Sequence, residues 1–339
     1  VRRAAVVALV LASIGARAAR ADYVRAPSDH RSHDFWLDIV SPHAEQVAAI
    51  VQRVNNLLQQ IDYGVTTFDA VENRTRMLER TYAELRFARK LAPDDLDVLT
   101  LIGRVADDLG NTHAAIDALQ AALALSKDGP SADVAGRLGS IYLRTHDLDA
   151  AIRYLRLAEV AVTTPNAAQD TIHLATALAL RGQMADAIEV LSSWGNGVAA
   201  FQGTEPATTG VAFALAVFYD RDEQRGAAFD VLDRMQAQMQ APSFAQMVQS
   251  ALASIRFAPA EDESYFEALL YETQGDYSEA RAAWATYAAS GGAYRARALE
   301  HIAAIDAERD AHPGAHPVPS QAQGQIPQFG PPPRRRFRP

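Results

Sequence analysis

The residues best suited to chemistry lie near the start of the chain: His30, His33, Asp34, Asp38 and His43 bring three imidazoles and two carboxylates within fourteen positions. Imidazole and carboxylate are the usual ligands of zinc, but a zinc site on a helix needs a fixed His spacing, and this cluster lacks one. It reads as a solvated turn. His312 and His316 flank Pro313-Gly314 and read the same way. Ser193-Trp194-Gly195-Asn196-Gly197 opens a glycine-rich stretch that runs to about Thr209, without the Gly-Lys-Ser/Thr that cradles a nucleotide phosphate. It is read as a long loop over one rim. Neither a Gly-x-Ser-x-Gly elbow nor a His-Glu-x-x-His pair is present. The carboxylate pairs Asp94-Asp95 and Asp107-Asp108 fall at expected helix ends, where solvation accounts for them. The expectation is a protein with no catalytic residues, no metal and no cofactor.

Composition narrows the partners. The chain of 339 residues has net charge −9 and no cysteine, which excludes disulfides, thiolate metal sites and cysteine nucleophiles. Residues 1–21 read as a signal peptide: Arg2-Arg3, an apolar run from Ala4 to Ile14, then Ala19-Arg20-Ala21 as the cleavage site. The expected destination is the periplasm or the extracellular space. No other stretch approaches the ~20 apolar residues that cross a bilayer. Without Arg2, Arg3, Arg17 and Arg20 the charge is −13, and without Arg334, Arg335, Arg336 and Arg338 as well it is −17. Phosphate neutralisation needs a basic face, so nucleic acid is not an expected ligand. Residues 311–339, rich in Pro, Gln and Gly and ending PPPRRRFRP, cannot form a core and are expected to be a disordered tail. Its arginines could touch an anionic surface.

The elements are helical throughout. Residues 22–95 are expected to hold an irregular start and two helices, the first with a heptad-like seam of Val47, Ile50, Val54, Leu57 and Ile61. The second is expected over 69–91, with Leu78, Tyr82, Leu85 and Ala88 on one face. Beyond them a segment recurs every 36 residues: Ala115-Ile116 with Leu119, Ala151-Ile152 with Leu155, and Ala187-Ile188 with Leu191. A fixed period of this size marks stacked helix pairs. The first helix of each pair carries Ile102-Gly103, Leu138-Gly139 with Tyr142, or Leu174-Ala175. The turns fall at Gly110, His146-Asp147 and Gly182.

This pattern resembles the tetratricopeptide repeat, and the resemblance implies an all-α, right-handed superhelical array of antiparallel helix pairs, an α-solenoid. It covers three regular repeats in 96–200. In 201–310 two divergent repeats follow, with an extra helix at about 243–257 and a capping helix at about 294–310. Glu223 stands where the turn glycine of the fourth unit is expected. Such arrays hold other molecules against a concave surface. Carried over unit by unit, the groove positions are Thr100 and Arg104; Arg137, Ser140 and Arg144; Ile172, His173 and Thr176; Phe213 and Val217; Tyr265 and Leu269. The Lys and Asn set with which chaperone adaptors of this family clamp a carboxylate is missing. The expected function is an exported scaffold that binds a protein or peptide segment; an envelope enzyme or accessory subunit, and a binder of envelope polymer through the Arg-rich tail, are the alternatives.

Overall fold

The computed structural model describes residues 43–64, 68–126, 131–159, 166–194, 205–238 and 243–311. The expected leader, His30 to Asp38, the glycine-rich 195–204 and the tail from His312 lie outside these residues; His43 is exposed. Among the described residues there are fourteen helices and no strand. The all-α fold of TPR-like helix pairs holds. No described helix is long and apolar enough to cross a membrane.

The chain divides into two compact units, the first ending at Leu125 and the second beginning at Ser126. The first contains α1 (Ala44–Gly64), α2 (Phe68–Leu91), α3 (Leu96–Asp108) and α4 (Thr112–Leu125). Val47, Ile50, Val54, Leu58 and Ile61 of α1 are buried against Leu78, Leu85 and Ala88 of α2 and Val98 and Ile102 of α3. Leu58 rather than Leu57 completes the seam. A packed helix repeats every 3.6 residues, so the buried line drifts off the strict heptad that a coiled coil would keep. On α2, Thr81 is buried and Tyr82 only half so; the Thr81 hydroxyl donates to the Met77 carbonyl at 2.7 Å, which lets it sit inside. Asp95 caps α3 by accepting from the Val98 amide at 2.9 Å.

The second unit contains α5 (Ala132–Arg144), α6 (Leu148–Glu159), α7 (Ala167–Leu180), α8 (Met184–Ser193), α9 (Pro206–Arg221), α10 (Arg225–Gln238), α11 (Ser243–Ala253), α12 (Asp262–Thr273), α13 (Tyr277–Ser290) and α14 (Arg295–Ala311). Its core runs from Leu143 and Leu155 through Phe213 and Phe218 to Trp284 and Tyr287.

Five helix pairs, one in the first unit and four in the second, turn with the same hydrogen bond. The amide five residues on closes each first helix: Asn111 to Ala106 (2.8 Å), Asp147 to Tyr142 (3.0 Å), Gln183 to Leu178 (2.9 Å), Gln224 to Tyr219 (2.8 Å) and Asp276 to Tyr271 (3.0 Å). This closure puts the preceding residue in the left-handed region, where glycine is favoured. Gly110, Gly182 and Gly275 occupy it, while His146 (φ 62°) and Glu223 (φ 58°) adopt it despite their side chains. The worn fourth unit therefore keeps the turn without the glycine, because the packing of α9 on α10 fixes the chain path.

Close approach within a pair requires the other glycines. A Cβ on Gly103 would lie 2.4 Å from Leu119 Cγ, and one on Gly139 would lie 2.4 Å from Leu155 Cγ. The Leu of each second helix thus fills the space that the glycine of the first leaves. That is the physical content of the 36-residue recurrence.

Candidate functional site

The expected groove residues divide sharply. Thr100 and Arg104 on α3, and Arg137 and Arg144 on α5, are half-buried. Ser140, Ile172, His173, Thr176, Phe213, Val217, Tyr265 and Leu269 are buried, with Phe213, Val217 and Tyr265 fully so. Their side chains belong to the interior of the second unit, and of them only Leu269 also lines the cleft described below.

The chain itself covers them. The extra helix α11 packs on α9: a Cβ on Gly210 would lie 3.5 Å from Ala251 Cβ and from Ile255 Cδ1. Phe257 then packs edge-on against Phe266 (4.9 Å), and Phe266 stands 6.2 Å from Phe213. The strand of chain after α11 also closes over α7, where the Arg256 amide donates to Gln169 Oε1 at 3.1 Å. The Arg256 carbonyl meets His173 Nε2 at 2.7 Å. A carbonyl only accepts, so Nε2 carries the proton; Nδ1 then accepts from the Ser140 hydroxyl at 2.7 Å. A hydroxyl bonded to an imidazole is the geometry of an activated nucleophile. Here both side chains are buried beneath the 254–257 segment, and the pair serves as a clip. Burial first, and the charges of Arg144 and Arg256 next, pull the His173 pKa down to about 4 although the Arg256 carbonyl works against them. The ring is neutral.

At the other end of the same face, α9 presents Asp220 and Arg221 to α12, α13 and α14. Tyr265 donates to Asp220 Oδ2 at 2.7 Å, Arg297 Nη2 reaches Oδ1 at 2.5 Å, and His301 Nε2 lies 3.0 Å from Oδ2. His301 Nδ1 lies 2.8 Å from Glu272 Oε2, which also accepts from Trp284 Nε1 at 2.9 Å. The Trp284 ring stacks on the imidazole at 4.3 Å. Both nitrogens of His301 face carboxylates, so both donate and the ring is charged. Burial pulls its pKa down, but the hydrogen bonds it donates to Asp220 and Glu272 more than reverse this and raise it to about 9. Burial likewise pushes Asp220 up, and the bonds from His301 and Arg297 overcome it, holding the carboxyl well below its usual range. Arg221 is enclosed beside them, its Nη2 2.8 Å from Asp262 Oδ1 and its guanidinium 4.6 Å and 4.5 Å from the Tyr265 and Tyr294 ring centres.

This charged centre forms the floor of a cleft of about 420 Å³ between α10, α12, the start of α13 and α14. Phe229 on α10 and Tyr277 on α13 line it while 67% and 46% exposed. Asp233 stands one turn from Phe229, and Glu300 stands beside Arg297 at 2.7 Å. Asp220 is saturated and His301 is held between two carboxylates, so the floor can recognise charge but has no free base.

A smaller pocket of about 90 Å³ lies between Ala158, Asp170 and Trp194. Burial, then the charge of Asp133, raises Asp170 to about 7 against the pull of Arg137.

Sequence reasoning missed the cleft. Asp220 and Arg221 continue the spacing of Phe213 and Val217 by three and four, so one helix face was legible there, yet nothing local announced that His301, 81 positions on, would meet it.

The comparisons with known proteins fit the helix-pair geometry. Residues 96–128 match the family described as tetratricopeptide repeat, so that stretch carries such a repeat. No curated protein matches the chain. Among solved structures it is similar to PilF of Pseudomonas aeruginosa, at 16% identity and a TM-score of 0.49, over 79% of this chain and 99% of that one. It is also similar to MamA (16%, 0.41, over 55% and 97%). A third is YrrB, described as a TPR protein with an unusual peptide-binding site (18%, 0.38, over 57% and 97%).

Proposed function

We propose that this protein is a non-catalytic scaffold that binds a protein or peptide segment, and that the binding surface of its second unit is the Phe229/Tyr277 cleft. One observation carries the reading: two large aromatic rings line one cleft while exposed, beside an engaged ionic floor. Exposed rings around a cleft supply apolar contact area at low entropic cost, and they are the residue types that dominate protein interfaces. On the face that such repeats usually offer to partners, α11 and the segment after it pack over α9 and α7, which favours the cleft as the surface for a partner. In the first unit, Thr100 and Arg104 retain the groove role that the repeat resemblance gives them, as do Arg137 and Arg144 on α5.

Both rings are on the surface, so their removal tests binding without unfolding. Phe229→Ser and Tyr277→Ser are expected to abolish capture of a partner from envelope extracts while the thermal midpoint stays within 2–4 °C of the parent, the shift that roughly 1 kcal/mol gives a domain of about 200 residues. A partner retained at full level by both variants counts against the cleft. Export with residues 1–21 as leader belongs to the same proposal. N-terminal sequencing of the envelope form tests it, with Asp22 as the expected first residue.

A further inference from the structure

The small pocket between α6, α7 and α8 is lined by two polar side chains that the chain leaves without partners. Asp170 is only 5% exposed, and among the described residues no hydrogen bond reaches its carboxylate. Trp194 Nε1 is enclosed and has no acceptor. We infer that this pocket binds a small primary ammonium compound, with the ammonium seated against the Asp170 carboxylate and the Trp194 ring as its wall. The site is separate from the Phe229/Tyr277 cleft and stands whether or not that cleft binds a partner.

Room for the carboxyl is built into the neighbouring helix. Gly136 lies inside α5, where glycine weakens a helix, and a Cβ there would collide with both oxygens of Asp170. A buried carboxyl with no donor is costly. Burial and the charge of Asp133 hold its pKa up at about 7 against the pull of Arg137, so near neutral pH the group is poised between acid and carboxylate. An ammonium supplies both things that are missing, hydrogen-bond donors and a compensating positive charge.

The lining favours the same ligand. The Thr171 hydroxyl donates to the Ala167 carbonyl at 2.8 Å, and the Ser193 hydroxyl donates to the Val190 carbonyl at 3.1 Å. Both hydroxyl protons are thus used, and the two oxygens keep only acceptor capacity. α6 ends at Glu159 and α8 at Ser193, and both of these last residues line the pocket. Helix C-termini carry partial negative charge, and two of them outweigh the single N-terminus that α7 brings. A carboxylate beside an aromatic face is a pairing that recognises ammonium groups, through charge-assisted hydrogen bonds and attraction to the ring. The volume, about 90 Å³, admits several water-sized groups, which suits an ammonium on a short alkyl stem.

The pocket's own indole provides the test on the full chain. There are three tryptophans, so the Trp194 Nε1–H signal is assigned in a nitrogen-15 NMR spectrum by its disappearance in Trp194→Phe. Ethylammonium chloride is titrated at pH 8, with ethanol as the neutral compound of matched size and sodium chloride at matched ionic strength. Ethylammonium is expected to give a saturable shift with an affinity at least about tenfold above that of ethanol, and Asp170→Asn should lose it. The charges that act on Asp170 are Asp133 and Arg137 of α5; Glu159 of α6 lines the pocket, and the lining from α8 carries no charge. A cation needs the ionised carboxyl, so with a pKa of about 7 the apparent affinity should rise about tenfold from pH 6 to pH 8. Shifts no different from those with sodium chloride, or equal binding of ethanol, overturn the inference. So does binding that survives Asp170→Asn, or an affinity that falls as pH rises, which would mark the protonated carboxyl as a donor to a neutral ligand. Should Asp170→Asn fail to fold, the pH profile of the parent protein decides alone.

Discussion

Two buried histidines of the second unit are held in opposite charge states by the kind of partner each one meets. His173 sits between a hydroxyl and a backbone carbonyl, groups that are satisfied by a neutral ring. His301 sits between two carboxylates, which a neutral ring could serve only once. Burial acts alike on both. What differs is that the carboxylates compensate the desolvated charge and the dipoles do not. The first centre fastens the 254–257 segment over α7 and closes the inner face. The second fastens α14 to α9 and α12 and leaves a cleft open above it. In this unit neutral hydrogen bonds hold the sealed side and ions hold the side beside the open cleft.

Breaking the ionic centre should have the largest effect. Asp220→Ala leaves Arg297 and His301 enclosed without their shared acceptor, and its expected cost is about 3–5 kcal/mol in denaturant unfolding. A smaller loss than for Ser140→Ala would erase the distinction between the two centres.

pH should separate them next. The His301 pKa is raised from 6.5 to about 9, so its stabilisation is complete below pH 6.5 and is lost as pH rises through 9. The His173 pKa is lowered from 6.5 to about 4, so its contribution stands above pH 6.5 and is lost as pH falls through 4. Imidazole NMR titration should find one ring protonated and one neutral at pH 7; two like rings would refute the comparison.

Gly139→Ala probes the packing that neither centre touches. Its Cβ would collide with Leu155, for an expected cost of about 1–3 kcal/mol, less what Ala gains in helix propensity. Combining it with Leu155→Ala should recover part of the loss; simple additivity would show that the two residues are not coupled. Smallest of all is Arg281→Ala. Its bidentate pair with Asp306 (2.8 and 2.9 Å) lies at the surface, where solvent screens it, and its loss should leave the denaturant midpoint almost unchanged. A loss as large as that of Asp220→Ala would mean that exposure does not distinguish these ion pairs.

Much of the architecture was readable because it is local. Gly103 with Leu119 and Gly139 with Leu155 are sixteen residues apart in both pairs, so their packing leaves a periodic trace. The turns were readable for the same reason, even where Glu223 replaces glycine. The site was not. Phe213, Val217, Tyr265 and Leu269 hold the positions that a groove would use, and their apolar or aromatic character suits a groove and a core equally. What decided between them was distant cover: α11 and its following segment near Phe213, and the rings of Trp284, Tyr287 and Tyr294 around Tyr265.

By itself, then, the amino-acid sequence determined an all-α chain of paired helices, their turns and the glycines that let them approach. Each of these depends on residues within a turn or two of helix, or within one repeat. Only the tertiary structure decided which inner positions are sealed, that His173 is neutral and His301 charged, and that Phe229 and Tyr277 line one open cleft. Those outcomes depend on groups far apart in the chain, such as His173 with Arg256 at 83 positions and Asp220 with His301 at 81. Burial and charge compensation act on distance in space, and no periodicity in the chain records it.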